Sequence, residues 1–466
     1  MVRHRIPGEK MPAHFFTAGE VIEATGGALI IGEPDELFTG ISIDSRTLKK
    51  GDIFICIKGE RFDGHDFIPE AIAKGASCII FSRYNVILLG STIPHSLIAV
   101  GNTLGALSDL AYYHRKRFAI PVIGITGSNG KTTTKEMISR LLSSKYKVLK
   151  NEGTQNNSIG LSLTLLNLRH HHEMAVLELG TNHFGEIREL ARIAAPSVGV
   201  ITNIGPAHLE FFGDEGGVLK EKWDLVEELA WPRIAILNGD DPLLRERPSG
   251  LPGDVTFFTF GIHHKADIMA QRVRRGKKKI SFYVKRYPCS LTTVSRVNIY
   301  NALAAYTVAR LFSVDAYDII KGFQDFAFPK ARFQMKKVKG MTIIDDAYNA
   351  NPASFRCALD AFHHLPASGR KIMVMADMME LGNRAELFHQ QMGEALSKTN
   401  VNVIVGIGPL SQGACDAAQT CGFNPRSIFR CSSLEQARTI ISAIAKKNDT
   451  ILLKGSRAMK LEDLLI

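Results

Sequence analysis

The chain has 466 residues, of which 45% are hydrophobic and 22% charged, a composition typical of a folded globular protein and not of a disordered or collagen-like one. The length suggests about three domains of roughly 150 residues each, and no apolar run reaches the roughly 18 residues that a membrane-spanning helix needs. The seven cysteines include no Cys-x-x-Cys pair, which disfavours disulfides and zinc knuckles and predicts a cytoplasmic protein.

The net charge of +11 comes from 57 basic and 46 acidic residues, a balance that nucleic-acid-binding proteins often show. Six of the basic residues lie close together between Arg272 and Lys279. The strand-like runs 267–273 and 280–284 flank this segment, so a solvent-exposed hairpin tip is the favoured interpretation. An ATPase that acts on nucleic acid is kept as a competing hypothesis, although no aromatic residues interleave the basic ones.

Residues 1–117 have the pattern of a small α/β domain. Apolar runs bounded by turn residues predict strands, and periodic runs that end at a glycine or at a basic cluster predict helices. The predicted strands are 41–44, 52–57 and 76–81, and the predicted helices are 67–75 and 105–117.

From residue 118 the chain alternates between strands and helices, as expected for a parallel sheet that helices cover on both faces. Nearly continuous apolar runs predict strands at 122–126, 146–150, 174–179, 198–204 and 234–237. The helices between them are predicted at 131–143, 158–166, 185–194 and 217–229. Pro329 marks the end of this central domain.

Residues 330–466 alternate again and predict another α/β domain. Its predicted strands are 342–345, 372–376, 401–406 and 451–453, and its predicted helices are 354–363, 385–396 and 434–445. The chain is therefore expected to have an α/β fold with three domains, 1–117, 118–329 and 330–466.

The segment at the end of the strand 122–126 is the strongest functional signal. It reads Thr126-Gly127-Ser128-Asn129-Gly130-Lys131-Thr132-Thr133 and joins an apolar strand to a helix that opens with Lys-Thr. The backbone N–H groups of such a loop and the helix N-terminus surround phosphate oxygens. Lys131 is expected to contact the β- and γ-phosphates of ATP, and the Thr132 hydroxyl to hold Mg²⁺. A glycine-rich turn without a ligand is the less favoured interpretation.

Two further strands of the central domain are followed by residue types that bind metals. Glu178 ends the strand predicted at 174–179, and His208 follows the strand predicted at 198–204. Ligands of open parallel sheets bind beyond the carboxyl ends of the strands, so a carboxylate and an imidazole beside a phosphate loop predict a second divalent ion. A hydrogen-bonded structural histidine is the competing interpretation.

Several motifs occur in the order seen in the Mur ligases, which form amide bonds with ATP during peptidoglycan synthesis. They are Thr126 to Thr133, Asn203-Ile-Gly-Pro-Ala-His208-Leu-Glu210, Lys220-Glu-Lys222-Trp223, Asn298 to Asn301, Ile344-Asp-Asp-Ala-Tyr-Asn-Ala-Asn-Pro352 and Lys454-Gly-Ser-Arg457. The string that ends at Pro352, with Asp377-Met-Met-Glu-Leu-Gly382, most resembles the member that joins D-alanyl-D-alanine to a UDP-N-acetylmuramoyl tripeptide. The resemblance spans about Phe16 to Glu462.

The resemblance implies a fold and a role for each domain. It implies a central P-loop ATPase-like domain with a parallel sheet that binds ATP. It also implies a small N-terminal α/β domain that binds the UDP end of the substrate and a Rossmann-like C-terminal domain that binds the incoming dipeptide. Because each domain brings a different ligand, the C-terminal domain is expected to rotate and close on ATP.

The resemblance also implies catalytic and metal-binding roles. Lys131, Glu178, His208 and Lys222 would be catalytic, and Thr132, Glu178 and His208 would hold Mg²⁺, of which two ions are expected. Lys222 matches a lysine that is a carbamate in many members. An ammonium beside Mg²⁺ would be repelled, whereas its CO₂ adduct is an anion that helps to hold the metal. Spacing on the helix 217–229 alone would make Lys222 a solvated lysine.

In the nucleotide site, the resemblance adds three residues to the phosphate loop. Asn298 would face the adenine, Arg332 would bind a phosphate, and Asp346 would accept hydrogen bonds from the ribose hydroxyls. This sequence departs from the family at the two preceding positions, because Val297 stands where a histidine is usual and Ala331 stands where a glycine is usual.

The substrate residues are implied in three groups. The UDP end of the substrate would contact Ser45, Arg46, Asp63, Gly64 and His65. The sugar or diphosphate would contact Thr154, Gln155 and Asn156, and the dipeptide would contact Asn349, Asn351 and Arg457. By sequence alone, turns of this composition are usually only turns.

The implied reaction is an ATP-dependent amide ligation through an acyl phosphate. The expected partners are a UDP-N-acetylmuramoyl tripeptide and D-alanyl-D-alanine, with no nucleic acid and no membrane span, and a monomer is expected. Another Mur ligase or a ligase of the folylpolyglutamate synthase type is the nearest alternative. The sequence does not specify the diamino acid at the third position of the tripeptide.

Overall fold

The computed structural model describes residues 15–82, 94–247 and 254–465. The chain divides into two compact units. Unit 1 contains the chain up to Ile120 together with Thr154–His172 and Arg192–Ala195, and unit 2 contains Pro121–Gly153, Glu173–Ala191 and Pro196–Ile466. The segment 154–172, which the sequence analysis placed in the central domain, thus belongs to the same unit as the N-terminal residues. The domain boundaries at 117 and 329 stay predictions.

Unit 1 is an α/β structure with a five-stranded sheet and a two-stranded ribbon. Its elements are β1 (Phe16–Thr17), α1 (Ala18–Thr25), β2 (Ala28–Ile31), β3 (Leu37–Phe38), β4 (Gly40–Ser42), β5 (Asp52–Ile55), α2 (Ile68–Ala73), β6 (Cys78–Ser82), β7 (Ser96–Val100), α3 (Thr103–Lys116) and α5 (Ser158–Leu165). The sheet has the order β2-β7-β6-β5-β4, and only β2 is antiparallel to its neighbour. The strands predicted at 41–44, 52–57 and 76–81 are confirmed as β4, β5 and β6.

The core of unit 1 forms because alternate residues of its strands face the helix α2. Phe54, Ile79 and Leu97 come from three neighbouring strands and pack in one cluster with Ile68 and Ile72 of the helix. Successive side chains of a strand point to opposite faces, so one apolar residue from each strand suffices to build this layer. The turns that follow β4 and β5 carry the predicted UDP-binding residues, of which Arg46 is exposed and Ser45 is buried.

Unit 2 begins with the elements that carry the phosphate loop. They are β8 (Val122–Thr126), α4 (Lys131–Leu142), β9 (Val148–Lys150), β10 (Met174–Glu178), α6 (Glu186–Ala194), β11 (Val198–Ile201), α7 (Leu209–Phe212), α8 (Glu215–Glu227), β12 (Ile234–Asn238), α9 (Pro242–Arg245), β13 (Thr256–Gly261), β14 (Ile268–Arg275), β15 (Ile280–Val284), β16 (Tyr287–Leu291), α10 (Val297–Leu311) and α11 (Ala316–Gln324).

These strands form a nine-stranded sheet with the order β16-β15-β14-β13-β12-β11-β8-β10-β9. The strands from β9 to β14 are parallel, which confirms the predicted parallel sheet, and β15 and β16 extend it in antiparallel fashion. Every residue of β8, β10 and β11 is buried, as expected of central parallel strands covered on both faces. The predicted basic hairpin is confirmed, since β14 and β15 pair and Lys277, Lys278 and Lys279 at its tip are exposed.

The remainder of unit 2 forms a second, mostly parallel sheet. Its elements are β17 (Gln334–Val338), β18 (Met341–Asp345), α12 (Pro352–His364), β19 (Lys371–Ala376), α13 (Ala385–Ser397), β20 (Val403–Ile407), α14 (Pro409–Thr420), β21 (Ile428–Cys431), α15 (Leu434–Ile444) and β22 (Thr450–Lys454). The order is β17-β18-β22-β19-β20-β21, and only β17 is antiparallel to its neighbour. Successive residues of β19 enter different apolar clusters, so both faces of this sheet are covered.

The topology of the nine-stranded sheet explains where a ligand can bind. The chain leaves β8 towards β9 and β10 on one side and later returns to place β11 on the other side. The loops after these strands therefore diverge at the carboxyl edge and leave a crevice, which is where open α/β sheets bind ligands. Within the described ranges, no helix is long and apolar enough to cross a lipid bilayer.

Candidate active site

The phosphate loop requires glycine at two positions. Gly127 and Gly130 have φ angles of +143° and +84°, and a side chain would strain the backbone there. A Cβ atom at Gly127 would also collide with the Thr202 hydroxyl, and one at Gly130 would collide with the side chain of Asn301. The two glycines thus allow the loop to pack closely against Thr202 and Asn301, and helix α4 begins at Lys131 directly after it.

Residues after β11 hold the loop from behind. The Asn203 amide clamps the peptide of Asn129, since its Oδ1 accepts from the Asn129 N–H at 3.0 Å and its Nδ2 donates to the Asn129 carbonyl at 2.9 Å. The Thr202 hydroxyl donates to the same carbonyl at 2.6 Å. The Ser128 N–H donates to the Asn203 carbonyl at 2.9 Å. Sequence reasoning gave Asn203 no role, because an amide after a strand has many ordinary uses.

Lys131 lies among charged residues at the start of α4. Its Nζ donates to the Gly127 carbonyl at 2.8 Å, so the side chain folds back over the loop. Burial lowers the pKa of Lys131, the carboxylate of Glu178 opposes this effect, and the guanidinium of Arg332 adds to it. The structure therefore brings together three residues that the sequence analysis assigned to phosphate and metal binding.

Glu178 is held at the end of β10 by a side chain of the neighbouring strand. The Asn151 Oδ1 accepts from the Glu178 N–H at 2.9 Å, and the Asn151 Nδ2 donates to the Glu178 carbonyl at 3.0 Å. The fully buried Lys135 in turn donates to the Asn151 carbonyl at 2.5 Å. These bonds extend the ladder between β9 and β10 by one residue, and they place the buried Glu178 carboxyl group beside Lys131.

Lys222 is buried on helix α8, contrary to the solvated position that its spacing alone suggested. No hydrogen bond or ion pair joins its ammonium group to another residue of the described ranges 15–82, 94–247 and 254–465. Burial lowers the pKa of Lys222 well below its ordinary value, the nearby charge of Lys131 lowers it further, and Glu221 acts in the opposite direction. This lowering of the pKa raises the share of the neutral amine, the form that can react with CO₂.

His208 is held by a residue that the sequence analysis did not assign. His208 precedes helix α7 in the left-handed conformation, with a φ of +55°. Its Nδ1 lies 2.5 Å from Oε2 of Glu380, which follows β19. This hydrogen bond lowers the pKa of the Glu380 carboxyl group. Glu380 stood within a motif that carried the resemblance, but 172 residues separate the two partners, and sequence periodicity does not report such contacts.

The candidate metal ligands were tested by their chemistry. No cluster of three or more His, Cys, Asp or Glu residues in the described part of the chain could enclose a metal by itself. Mg²⁺ in nucleotide sites takes one or two carboxylates and completes its shell with phosphates and water. The Thr132 hydroxyl and the Glu178 carboxylate beside a phosphate loop fit that behaviour, and the His208 Nε2 would add a nitrogen ligand.

Asn298 lies at the start of helix α10 and is linked to helix α4 through a second amide. The Asn301 Nδ2 donates to the Asn298 Oδ1 at 3.0 Å, and the Thr134 hydroxyl donates to the Asn301 Oδ1 at 3.3 Å. The Asn298 Nδ2 donates to the Thr293 hydroxyl at 3.3 Å. This chain links the predicted adenine residue to helix α4, and Val297 is the first residue of the helix that carries it.

Arg332 reaches the phosphate loop from the start of the second sheet. Its Nη2 donates to the Thr132 hydroxyl at 3.2 Å, and its guanidinium lies over the Tyr348 ring at 3.9 Å from the centroid. Ala331 has a φ of +54°, a left-handed conformation that costs a residue with a Cβ about 1–2 kcal/mol. This conformation explains why the resemblance led us to expect glycine there.

Asp346 lies at the end of β18 and is already engaged by two groups. Its Oδ1 accepts from the Phe333 N–H at 3.0 Å, and its Oδ2 pairs with the buried Lys454 Nζ at 2.8 Å. Lys454 also donates to the Asn349 carbonyl at 3.0 Å. The motifs around Asp346 and Lys454 therefore support one another, and Lys454 shapes the loop that carries the predicted dipeptide residues.

The three predicted dipeptide residues have different environments. Asn351 is the N-cap of helix α12 and forms a capping box with Ser354. Its Nδ2 also donates to the Asn129 Oδ1 of the phosphate loop at 2.9 Å. Asn349 is exposed, and the exposed Arg457 forms an ion pair with Glu462. Of the three, the structure brings only Asn351 into contact with the phosphate loop.

In unit 1, the first predicted UDP-binding turn is closed by its own side chains. Arg46 forms a bidentate ion pair with Asp44, whose pKa it lowers to about 2. The carbonyl of the buried Ser45 accepts from the Lys74 Nζ at 3.0 Å. The Arg46 side chain is 82% exposed, so the guanidinium is accessible to a ligand while the turn beneath it is fixed.

The second turn, Asp63 to His65, is tied to strand β6. The His65 Nε2 accepts from the Ser82 N–H at 3.0 Å, and the His65 Nδ1 faces the Asp63 Oδ1 at 2.5 Å. Burial would raise the pKa of Asp63, but the hydrogen bonds from His65 keep it below its ordinary value. A Cβ atom at Gly64 would lie 2.6 Å from the Ile57 nitrogen. Both ring nitrogens of His65 thus form contacts that fix the turn, Nδ1 with Asp63 and Nε2 with the Ser82 N–H.

Thr154, Gln155 and Asn156 precede helix α5 and belong to unit 1. The Asn156 N–H donates to the Thr154 carbonyl at 2.8 Å, and Asn157 is the N-cap of α5. A Cβ atom at Gly160 would lie 2.7 Å from the Cα of Gln155. This loop therefore shares a compact unit with the two turns that the sequence analysis assigned to the UDP end.

Comparison with protein-family models gives three matches along the chain. The Mur ligase family catalytic domain matches residues 37–110, the Mur ligase middle domain matches residues 125–309, and the Mur ligase glutamate ligase domain matches residues 331–457.

Known proteins resemble the chain over nearly its whole length. The UDP-N-acetylmuramoyl-tripeptide–D-alanyl-D-alanine ligase of Bacillus subtilis is 33% identical over 96% of this chain and 97% of its own. The crystal structure of MurF from Acinetobacter baumannii matches with a TM-score of 0.86 at 30% identity and covers 97% of this chain and 98% of its own. The MurF ligase of Thermotoga maritima, in complex with ADP, matches with a TM-score of 0.79 at 30% identity and covers 91% and 96%.

Proposed function

The chain belongs to the Mur ligase family, and from this premise we propose that the residues around Lys131 carry the family's ATP-dependent amide ligation. The enzyme joins D-alanyl-D-alanine to a UDP-N-acetylmuramoyl tripeptide and forms ADP and phosphate. The reaction belongs to the synthesis of the peptidoglycan precursor. ATP and the UDP-linked substrate are anionic, which agrees with the net charge of +11.

The chemistry requires activation of the tripeptide carboxylate. An amine that meets a carboxylate only exchanges a proton with it, because the carboxylate is a poor electrophile. Transfer of the γ-phosphoryl group of ATP to a carboxylate oxygen gives an acyl phosphate and ADP. The dipeptide amine then attacks the acyl carbon, loses a proton, and expels phosphate as the amide bond forms. The protein's part is mainly positioning and charge stabilisation.

The observation that carries the proposal is the set of charges at the phosphate loop. Lys131 lies close enough to Glu178, Arg332 and Lys222 to be influenced by their charges or to influence them. Lys131 and Arg332 supply positive charge where the phosphates of a triphosphate would bind, which favours an anionic ligand there. Lys131 is assigned to the transferred phosphoryl group, and Arg332 to a neighbouring phosphate.

Thr132, Glu178 and His208 are assigned to Mg²⁺, with two ions expected in the complex with ATP. Bound there, Mg²⁺ supplies positive charge that offsets the charge developing on the transferred phosphoryl group. Glu380 holds the His208 ring through Nδ1, and the Glu178 carboxyl group is buried, so both side chains are oriented before the ligand binds.

Lys222 is assigned as a carbamate. Its buried amine, in the neutral form, would attack CO₂, form an N–C bond and release one proton to solvent. The resulting anion would interact with the charge of Lys131 and would help to hold Mg²⁺. Protein equilibrated with ¹³C-labelled CO₂ should show a carbamate resonance that Lys222→Ala lacks. A spectrum of the parent protein without that resonance would contradict the assignment.

The other ligands are assigned to the residues that the resemblance indicated. Asn298 would face adenine, Asp346 the ribose, and Thr126 to Thr133 the phosphates. Ser45, Arg46, Asp63, Gly64, His65, Thr154, Gln155 and Asn156 would bind the UDP-linked substrate. Asn349, Asn351 and Arg457 would bind the dipeptide, for which Arg457 would exchange its contact with Glu462 for the dipeptide carboxylate. A cytoplasmic monomer is part of the proposal.

The proposal is tested by phosphate release. Release should require both the UDP-N-acetylmuramoyl tripeptide and D-alanyl-D-alanine, and Lys131→Ala should abolish it, because the phosphoryl group then loses its nearest cation. Lys278→Ala, at the exposed hairpin tip, serves as the matched control and should retain parental turnover. Turnover retained in Lys131→Ala, or release with the tripeptide and another amino acid in preference to the dipeptide, would contradict the proposal.

A further inference from the structure

The contact between His208 and Glu380 joins two distant parts of unit 2. His208 lies before α7, in the part of the chain that matches the Mur ligase middle domain, and Glu380 lies after β19, in the part that matches the glutamate ligase domain. Their side chains meet at 2.5 Å. The backbone adds a second bond, because the Glu210 N–H donates to the Glu380 carbonyl at 3.2 Å. Glu380 thus contacts the start of α7 twice, through its side chain at His208 and through its carbonyl at Glu210.

Apolar contacts hold the same two regions together. Leu209, Phe212 and Val218 form a buried cluster on α7 and α8, and Phe388 of helix α13 packs against it. Glu380 therefore approaches His208 across a packed contact and not as a lone side chain on the surface.

The loop that carries Glu380 is fixed from several sides. The buried Asp377 carboxylate accepts from the Ser411 N–H of helix α14 at 2.7 Å. The Met378 N–H donates to the His389 Nε2 at 3.0 Å, and the Met379 N–H donates to the Ser456 hydroxyl at 2.8 Å. These bonds hold Glu380 in a left-handed conformation with a φ of +62°. Such strain persists where surrounding contacts enforce it, which is common at functional sites.

The chemistry of this contact determines which ring nitrogen of a neutral imidazole carries the proton. An ionised carboxylate only accepts hydrogen bonds, so the ring nitrogen that faces it carries the proton. A neutral imidazole has one protonated nitrogen, so the other nitrogen, Nε2, keeps a lone pair that can bind a cation.

We propose that Glu380 is a positioning residue for His208, which it fixes in the tautomer with the proton on Nδ1 so that Nε2 is presented to a divalent cation. This proposal rests on the assignment of His208 to the metal under the proposed function. It adds that His208 is held in this tautomer only while the loop 377–381 is docked against the turn that carries His208. Docking of the C-terminal region and metal affinity are thereby coupled.

The first test observes the imidazole directly. Nitrogen-15 NMR of histidine-labelled protein, with the His208 signal identified by its loss in His208→Ala, should show the Nδ1–H tautomer in the parent. Glu380→Ala should lose this preference, and Glu394→Gln, a matched removal of a carboxylate on the exposed side of α13, should keep it. An unchanged tautomer in Glu380→Ala would overturn the proposal.

The second test measures affinity for a metal probe. Mn²⁺ is titrated into each variant with a non-hydrolysable ATP analogue and followed by electron paramagnetic resonance. Glu380→Ala should weaken Mn²⁺ binding about tenfold, as is typical when a partner of a metal ligand is removed. Glu380→Gln keeps an acceptor oxygen and should lie between the parent and Glu380→Ala, whereas equal affinities in all three would overturn the proposal.

Two further variants separate the possible failures. Glu380→Asp is one methylene too short for the contact and should fall below Glu380→Gln, which supplies a test should the alanine variant fail to fold. His208→Ala should weaken Mn²⁺ binding at least as much as any change at Glu380. Undiminished binding in His208→Ala would remove the metal role of the proposed function, whereas weakened binding in that variant alone would contradict only the role of Glu380.

Discussion

At the scale of single residues, the phosphate loop depends on two glycines for two separate reasons. One reason is the positive φ angle, which any side chain makes costly. The other is the close packing of the loop against Thr202 and Asn301, which leaves no room for a methyl group. The chain allows these two effects to be separated, since it contains a glycine with the same φ angle in open space.

Gly130→Ala and Gly185→Ala form the matched pair. Their φ angles are +84° and +88°, but a Cβ atom would meet Asn301 at position 130 and nothing within 4 Å at position 185. Gly185→Ala should cost about 1 kcal/mol of unfolding free energy from backbone strain. Gly130→Ala should cost about 3 kcal/mol, because overpacking adds to the strain, and should also lose ATP affinity. Equal losses in urea unfolding would show that the collision is relieved without cost.

Sequence motifs pointed to some candidate site residues and left others out for a physical reason. Lys131 and Thr132 could be proposed from the sequence because their predicted roles follow from a local strand–loop–helix pattern. Asn151, Asn203 and Glu380 could not, because each acts on a partner that only folding brings near. The same limit applies to Lys222, whose burial on α8 is opposite to what its spacing alone suggested.

At the scale of elements, the N-terminus of helix α12 has two functions. Asn351 caps the helix and also bonds to Asn129 of the phosphate loop. The cap needs only a small acceptor, which many residues provide. The bond to Asn129 needs a longer side chain that carries an N–H donor, which the Asn351 amide provides. A single residue thus joins the stability of α12 to the position of the loop.

Substitutions at Asn351 should separate these functions. Asn351→Ala should cost about 1 kcal/mol of unfolding free energy through loss of the cap. Asn351→Ser keeps a capping oxygen and should cost only a few tenths of a kcal/mol of unfolding free energy. Because serine cannot reach Asn129, this variant should reduce ligation as much as the alanine variant does. The measurements are denaturant unfolding and phosphate release. Full activity in Asn351→Ser would show that the link to the loop is not needed.

Helix α3 carries a buried histidine that should make the protein sensitive to acid. His114 is fully buried among Phe15, Phe16 and Phe118, and its Nε2 donates to the Leu168 carbonyl. Burial lowers its pKa from 6.5 to about 4. Between pH 6.5 and pH 4 the unfolded chain binds a proton at His114, whereas the folded chain does not. The contribution of the buried neutral ring to the free energy of unfolding is therefore complete above pH 6.5 and is lost as the pH falls towards 4.

The variant His114→Gln tests this dependence. The difference in unfolding free energy between parent and variant should shrink by up to about 3 kcal/mol as the pH falls from 7 to 4, because glutamine does not titrate. Denaturant unfolding at several pH values measures it. A difference in unfolding free energy that stays constant with pH would show that His114 is not the group that takes up the proton.

At the scale of the whole molecule, residues in and around the second sheet contact the phosphate loop and the turn before α7 through three polar pairs. These are Arg332 with Thr132, Asn351 with Asn129, and Glu380 with His208. Each pair includes a residue assigned to ATP, the metal or the dipeptide. Binding of those ligands and docking of residues 330–466 are therefore expected to depend on one another.

Solution scattering should detect this closure. The radius of gyration should decrease when a non-hydrolysable ATP analogue and the UDP-linked substrate are both added, because the C-terminal domain is predicted to rotate onto them. Lys131→Ala, which lacks the cation for the triphosphate, should show a smaller change. Identical scattering curves with and without ligands in the parent protein would contradict the predicted rotation.

The sequence by itself determined the class of fold, the parallel central sheet, the phosphate loop and the basic hairpin. Each of these follows from interactions between residues close along the chain, such as apolar periodicity, turn chemistry and the contiguous Gly-Lys-Thr pattern. Only the tertiary structure decided that Asn203 clamps the loop, that Lys222 is buried, that residues 154–172 belong to unit 1, and that Glu380 holds His208. Those features depend on which distant strand ends and loops meet, and side-chain burial and hydrogen-bond partners are set by that meeting and not by local pattern.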